Sequence, residues 1–142
     1  MYGAKELLEQ LDGNYELAIA SNGPVAEQRP RLVNAGLSRF FSRFFISEEL
    51  DVNKPDKRFF DIIFENIENK DKSSILIVGD DLTSDVQGAI NAGIDSCWFN
   101  KKGKENSLGI QPTITIYSLE DLLAYLGEEK TRSERMDDYD YR

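Results

Sequence analysis

Three aspartates that follow a short apolar run are the residues of this sequence best suited to chemistry. The run Ile75–Val78 leads into Gly79, and Asp80, Asp81 and Asp85 come after it. Such a run predicts a buried parallel strand, and open α/β sheets bind their ligands where these strands end. Carboxylate oxygens at that edge are ligands that a hard cation such as Mg²⁺ prefers. Alternatively, Asp81 and Asp85 cap the next helix and Asp80 lies in an exposed loop.

Two further polar groups lie where a strand is predicted to meet a helix or loop. Ser21-Asn22-Gly23 offers a hydroxyl and backbone amides that suit a phosphate oxygen, although the same residue types are common in plain turns. Lys54 stands just before a predicted helix, where its charge is unfavourable for the helix dipole. We therefore expect an anionic ligand or a carboxylate partner beside it; the alternative is a solvated loop lysine.

Alternating strands and helices connect these groups. Strands are predicted at 15–20, 44–47, 75–78, 96–99 and 113–116, and helices at 4–11, 25–35, 55–66, 86–92 and 119–126. Pro30 is expected to kink or split the second helix, and Pro55 to take the first position of the third. The alternation predicts an α/β fold, a Rossmann-like three-layer α/β/α sandwich with a mainly parallel sheet.

Composition limits the class of protein. The 142 residues carry 17 Lys and Arg against 26 Asp and Glu, which argues against nucleic acid or an anionic membrane as the main partner. The sequence has no histidine, so its own residues cannot form Ser-His-Asp, Cys-His or histidine–zinc sites. One cysteine, Cys97, and no apolar run long enough to span a membrane favour a cytoplasmic protein.

Taken in order, the three polar groups resemble the motifs of the haloacid dehalogenase (HAD) superfamily. Ser21 stands where the second motif has its hydroxyl, Lys54 where the third has its lysine, and Gly79-Asp80 with Asp85 fit the fourth. The resemblance covers about residues 4–127, and local sequence is similar to the branch that holds the pyrimidine 5′-nucleotidases. Receiver domains also combine acidic residues with a lysine, but their lysine follows the acidic cluster.

The resemblance implies a phosphohydrolase that acts on small phosphorylated metabolites, with nucleoside monophosphates among them. In that family an aspartate attacks phosphorus and a second aspartate, two residues later, acts as acid and base. Ser21, with the backbone amides of Asn22 and Gly23, would bind a phosphoryl oxygen. Lys54 would offset charge between the nucleophile and the phosphoryl group.

The resemblance also implies Mg²⁺ as the cofactor. Asp80 would bind the cation directly or through water. Asp85 would orient either the ligands of the metal or Lys54, and Asp81 would do either. We expect a metal site formed by these carboxylates together with the nucleophile motif.

The nucleophile motif itself, an apolar strand that runs into Asp-x-Asp-x-Thr, is not found in this chain. Its Asp-x-Asp is Asp138-Tyr139-Asp140, within residues 128–142, a polar segment predicted to be a disordered tail after a core at 1–127. The first strand of a HAD-like core and the cap are missing as well, so open sheet edges and self-association through them are expected.

Three hypotheses follow from that departure. The chain is the C-terminal part of a phosphatase core and is inactive alone. Alternatively, it is a non-catalytic scaffold or interaction module that kept the sheet and lost the chemistry. In the third hypothesis, a partner supplies the nucleophile motif through an open sheet edge.

Overall fold

Helices and strands alternate along residues 3–68 and 71–127, the parts of the chain that this computed structural model describes. The helices are α1 (Ala4–Leu11), α2 (Val25–Asn34), α3 (Ser47–Leu50), α4 (Lys57–Asn66), α5 (Gln87–Ala92) and α6 (119–127). The strands are β1 (Ala18–Ser21), β2 (Arg43–Ile46), β3 (Leu76–Gly79), β4 (Asp95–Phe99) and β5 (Ile114–Ile116). The predicted tail, 128–142, lies outside the described residues. None of the described helices is long and apolar enough to cross a membrane.

The strands form two parallel sheets instead of one. β1 pairs with β2, while β3 pairs with β4 and β4 with β5. Within the described residues, neither β1 nor β3 pairs with a strand on its second side. We call the gap between these two unpaired edges the seam. The α/β, Rossmann-like parallel fold that the sequence predicts is confirmed.

Two apolar layers cover the sheets, one on each face. The first has a buried core of Leu7, Leu11, Cys97, Ile116 and Leu122, with Leu17 and Leu76 packed against it. The second has a buried core of Phe45, Phe59, Phe60 and Ala92, with Ala20 and Ile77 packed against it. The adjacent β3 residues Leu76 and Ile77 thus face opposite layers, as strand geometry requires. The second layer contacts both sheets, and the first contacts the three-stranded sheet and Leu17, the residue before β1, so the strands lie in the middle of an α/β/α sandwich.

Pro30 does not split its helix, and Pro55 does not take the first helical position. Helix α2 continues through Pro30 and is not split there. The Ala26 carbonyl loses its intrahelical partner at this point, but Ala26 is exposed and water can donate in its place. Pro55 follows a cis peptide bond and lies before α4, not in its first turn. Asp56 caps α4 instead, because its side chain accepts a hydrogen bond from the N–H of Arg58 at 2.9 Å.

The helical segment after β3 begins earlier than the predicted start at Val86. Asp81 caps it, since its side chain accepts hydrogen bonds from the N–H groups of Thr83 and Ser84. The first turn, Leu82–Val86, is π-helical, and α5 continues from it. Asp81 is therefore the cap, whereas Asp85 lies inside the first turn and its carboxylate is used elsewhere.

Candidate functional site

A cleft of about 500 Å³ opens where β1 and β3 end, at one end of the seam. Its lining includes six of the seven residues that the sequence predicts for the site: Ser21, Asn22, Lys54, Asp80, Asp81 and Asp85. Gly23 is the seventh, and it is not among the lining residues. The cleft lies at the carboxyl ends of parallel strands, the edge at which open α/β sheets bind ligands. Three groups that are distant in sequence thus meet at one place.

Lys54 and Asp85 form a buried ion pair at the floor of this cleft. Lys54 is 8% exposed and Asp85 is 6% exposed. The Lys54 ammonium donates to Asp85 Oδ1 and, at 2.8 Å, to the backbone carbonyl of Ala20 on β1. Lys54 therefore has a carboxylate partner, one of the two neighbours expected from its position before a helix. Its charge lies between β1 and the segment that follows β3.

Gly79 makes this arrangement possible. It is the last residue of β3, and a Cβ atom added to it would overlap the Asp85 carboxylate. A glycine lets the backbone of β3 approach that side chain closely. The Gly-Asp pair after the apolar strand therefore has a packing reason as well as a chemical one.

Asn22 fixes the backbone of Lys54 through a reciprocal pair of hydrogen bonds. The N–H of Lys54 donates to Asn22 Oδ1 at 2.8 Å, and Asn22 Nδ2 donates to the Lys54 carbonyl at 3.0 Å. Sequence reasoning assigned Asn22 only a backbone contact with phosphate. The side-chain role was missed because nothing in the sequence pairs positions 22 and 54.

We expect Asn22→Ala to lower the free energy of unfolding by about 1–3 kcal/mol, because it leaves the Lys54 N–H and carbonyl without their partner. Urea denaturation at pH 7 measures this change. Asn34→Ala, at an exposed position at the end of α2, is the matched control and should change stability by less than about 0.5 kcal/mol. Equal stability of the two variants would show that the Asn22 bonds contribute nothing.

Ser21 accepts a hydrogen bond from the backbone N–H of Gly23 at 2.9 Å. The Ser21 hydroxyl keeps its own proton to donate, since a hydroxyl is both donor and acceptor. The Gly23 amide is already engaged, which differs from the expectation that it would contact phosphate. The phosphate contacts of Ser21 and of the Asn22 amide stay predictions.

The three aspartates are not gathered into one metal-binding group. Asp81 accepts from the N–H and hydroxyl of Thr83 at 2.8 and 2.7 Å, and Asp85 pairs with Lys54. Among the described residues, no three acidic or cysteine side chains are placed to share a metal. Asp80 is exposed in the cleft, and within the described part of the chain its carboxylate has no hydrogen-bond or ion-pair partner. Asp80 is thus the carboxylate available to a cation.

Hydrogen bonds from Thr83, with its hydroxyl the largest cause, lower the pKa of Asp81 below the ordinary aspartate value. Since the folded-state pKa is the lower one, the stabilisation is complete above about pH 4 and is lost as pH falls through the folded value. Asp81→Ala should cost about 1 kcal/mol at pH 7, as for other caps. Urea denaturation from pH 7 to pH 3 should show this cost shrinking toward the acid end. A cost that is constant with pH would contradict the assignment.

The cysteine of the chain is not available for nucleophilic chemistry. Cys97 is fully buried in β4, and burial raises the pKa of its thiol to about 12. A thiol with so high a pKa holds its proton near neutral pH and is a weak nucleophile.

The cleft offers an ammonium, a hydroxyl and one free carboxylate, a set that suits an anionic oxygen ligand with a cation.

Residues 1–99 match the haloacid dehalogenase-like hydrolase family. The chain belongs to that family. It is 44% identical over 122 residues to the pyrimidine 5′-nucleotidase PynA of Streptococcus pneumoniae, covering 85% of this chain and 52% of PynA. It is 44% identical over 120 residues to the pyrimidine 5′-nucleotidase YjjG of Escherichia coli, covering 84% of this chain and 53% of YjjG. The predicted resemblance to the nucleotidase branch is confirmed.

Solved structures agree with this family membership. The HAD-hydrolase YfnB of Bacillus subtilis, solved with bound magnesium, superposes with a TM-score of 0.83 at 38% identity. The match covers 89% of this chain and 55% of YfnB. The chain thus spans about half the length of each of these relatives.

Proposed function

We propose that this chain supplies one side of the active site of a Mg²⁺-dependent phosphohydrolase that acts on small phosphate monoesters. Pyrimidine nucleoside monophosphates are the first substrates to test, because PynA and YjjG are pyrimidine 5′-nucleotidases. The buried Lys54 carries the proposal: its ammonium stands between β1 and Asp85 in the cleft. A buried positive charge beside a polar cleft attracts and stabilises a phosphoryl group.

Lys54 and Ser21 are the residues of this chain that would bind the phosphoryl group. The Ser21 hydroxyl has a proton to donate to a phosphoryl oxygen, and it lies at the end of β1 in the cleft lining. The ammonium of Lys54 would compensate the charge of the phosphoryl group and of an attacking carboxylate. Asp85 and Asn22 would keep Lys54 in place, one at its side chain and the other at its backbone.

Asp80 fits Mg²⁺ as a single oxygen ligand. Mg²⁺ sites often combine one or two carboxylates with water and substrate phosphate, so one free carboxylate is the right chemistry but not a full ligand set. When bound, the cation would polarise a phosphoryl oxygen and neutralise charge. We propose that its other protein ligands come from a polypeptide segment that is not part of this sequence.

The same segment would supply the nucleophile, and the seam would be its place in the fold. The unpaired edges of β1 and β3 flank the seam, and Val78 on β3 is 41% exposed. Unpaired parallel edges with exposed apolar residues are suited to accept a strand. A carboxylate at the end of such a strand would emerge in the cleft near Lys54. The segment would be joined to this chain or carried by a partner, and a cytoplasmic location suits either.

A phosphatase assay of the chain alone tests this proposal. With MgCl₂ and p-nitrophenyl phosphate we expect no turnover above background, because the described residues contain no Asp-x-Asp motif after an apolar strand. Robust turnover that disappears in Asp80→Ala would mean that the site is complete in this chain. That result would contradict the proposal that this chain supplies only one side of the active site.

The exposed seam also favours a second candidate, an interaction module that associates through its sheet edges. Size-exclusion chromatography with light scattering separates the two. A concentration-dependent dimer that is abolished by Val78→Lys would favour self-association through the seam. A monomer at all concentrations would argue against it.

A further inference from the structure

Trp98 lies beside the cleft but plays no part in the site described above. It belongs to β4 and stands opposite Gly79, the last residue of β3, in the parallel register. The side chain is 6% exposed. Its indole N–H donates to the backbone carbonyl of Asp80 at 3.1 Å. A buried indole N–H requires an acceptor, and here the acceptor belongs to the residue proposed to bind the cation.

The peptide unit between Asp80 and Asp81 is fixed at both of its polar atoms. Trp98 donates to the Asp80 carbonyl, and the Asp81 N–H donates to Asp85 Oδ2 at 3.3 Å. This peptide follows Gly79, the last β3 residue that pairs with β4, so the strand ladder does not extend to it. The buried side chains of Trp98 and Asp85 therefore hydrogen-bond the backbone groups that a neighbouring strand would satisfy elsewhere in the sheet.

These bonds continue across the floor of the cleft. The second oxygen of Asp85 accepts from Lys54, and Lys54 also donates to the Ala20 carbonyl on β1. A connected set of hydrogen bonds thus joins β4 to β1 past the open end of the seam. Polar networks of this kind orient the side chains that they surround.

We propose that Trp98 is a positioning residue for Asp80: its indole N–H fixes the Asp80 backbone and thereby the direction of the Asp80 carboxylate toward a divalent cation. The cation part of this inference rests on the function proposed above. Packing alone would need only an aromatic ring at this position. The N–H group is what distinguishes positioning from packing, because phenylalanine fills most of the same space but cannot donate.

The test compares Trp98→Phe with Phe59→Leu in the full chain. Phe59 is fully buried in the second apolar layer, so its variant is also destabilised but keeps the Trp98 bond. Without metal, hydrogen exchange of the Asp81 amide under native conditions should be about fivefold faster in Trp98→Phe, as expected for one lost hydrogen bond. In Phe59→Leu it should match the unaltered chain.

The second measurement is a titration with MnCl₂, followed by paramagnetic broadening of the amide signals around Asp80. Broadening that Asp80→Asn abolishes identifies binding at that carboxylate. We expect the apparent Kd to rise about fivefold in Trp98→Phe and to stay unchanged in Phe59→Leu. Unchanged exchange and unchanged Kd in Trp98→Phe would overturn the positioning role.

The two proposals can fail separately. If the unaltered chain shows no broadening that depends on Asp80, Asp80 does not bind a cation without the other ligands that the proposed function assigns to a further segment. The Asp81 exchange rate then decides the role of Trp98 without reference to metal. Faster exchange in Trp98→Phe but not in Phe59→Leu would support fixation of the Asp80 backbone. Equal exchange in Trp98→Phe and in the unaltered chain would reject it.

Discussion

Lys54→Met should lower the free energy of unfolding by about 3–5 kcal/mol at pH 7. It removes the ammonium and leaves the Asp85 carboxylate buried without a counter-charge, which is among the most costly single changes in a protein. Both side chains are more than nine-tenths buried, so water compensates poorly for the lost partner. Urea denaturation followed by circular dichroism measures the loss, which is a large part of the stability of a small domain.

Two further variants separate the charge effect from a general loss of the side chain. Lys57→Met breaks an exposed i, i+4 ion pair with Asp61 and should cost no more than about 0.5 kcal/mol. Lys54→Met combined with Asp85→Asn removes both charges and should recover more than half of the loss. If Lys54→Met does not fold, recovery of folding in the double variant makes the same point. A double variant as unstable as the single one would show that the cost is not electrostatic.

Asp80→Asn should lower turnover at least about a hundredfold in a completed enzyme, because it removes a charged ligand from a cation that stabilises the phosphoryl group. The completed enzyme for this test is a fusion of the part of PynA that precedes the matched region with residues 1–142 of this chain. Hydrolysis of UMP in MgCl₂, with released phosphate as the signal, is the measurement.

Asp95→Asn in the same fusion is the matched control. Asp95 is an exposed aspartate at the first position of β4, at the opposite edge of the sheet from the cleft. Its replacement should leave turnover unchanged within about twofold, since a distant exposed charge contributes little at physiological ionic strength. Equal losses in both variants would mean that Asp80 has no special role.

The placement of the cleft was predictable because it depends on topology. Apolar runs followed by polar turns identify parallel strands, and the carboxyl ends of such strands meet at one edge. Ser21, Lys54 and Asp80 therefore come together although long stretches of chain separate them. The open strand edges were also expected from the sequence, and within the described residues β1 and β3 each pair on one side only.

The partners of individual side chains were not predictable, because they depend on loop geometry that no sequence period encodes. Asp85 could equally have capped a helix; its contact with Lys54 becomes evident only when β1 and β3 lie side by side. The same holds for the Asn22 bonds to Lys54 and the Trp98 bond to Asp80. Each joins residues that are at least 18 positions apart in the sequence.

Release of phosphate from UMP by the fusion, compared with the isolated chain, tests the central claim most directly. We expect Mg²⁺-dependent turnover by the fusion and none by residues 1–142 alone, because the nucleophile and the remaining cation ligands would enter through the seam between β1 and β3. Turnover by the isolated chain, or a folded fusion that releases no phosphate, would contradict the account that this chain forms one side of a phosphohydrolase site.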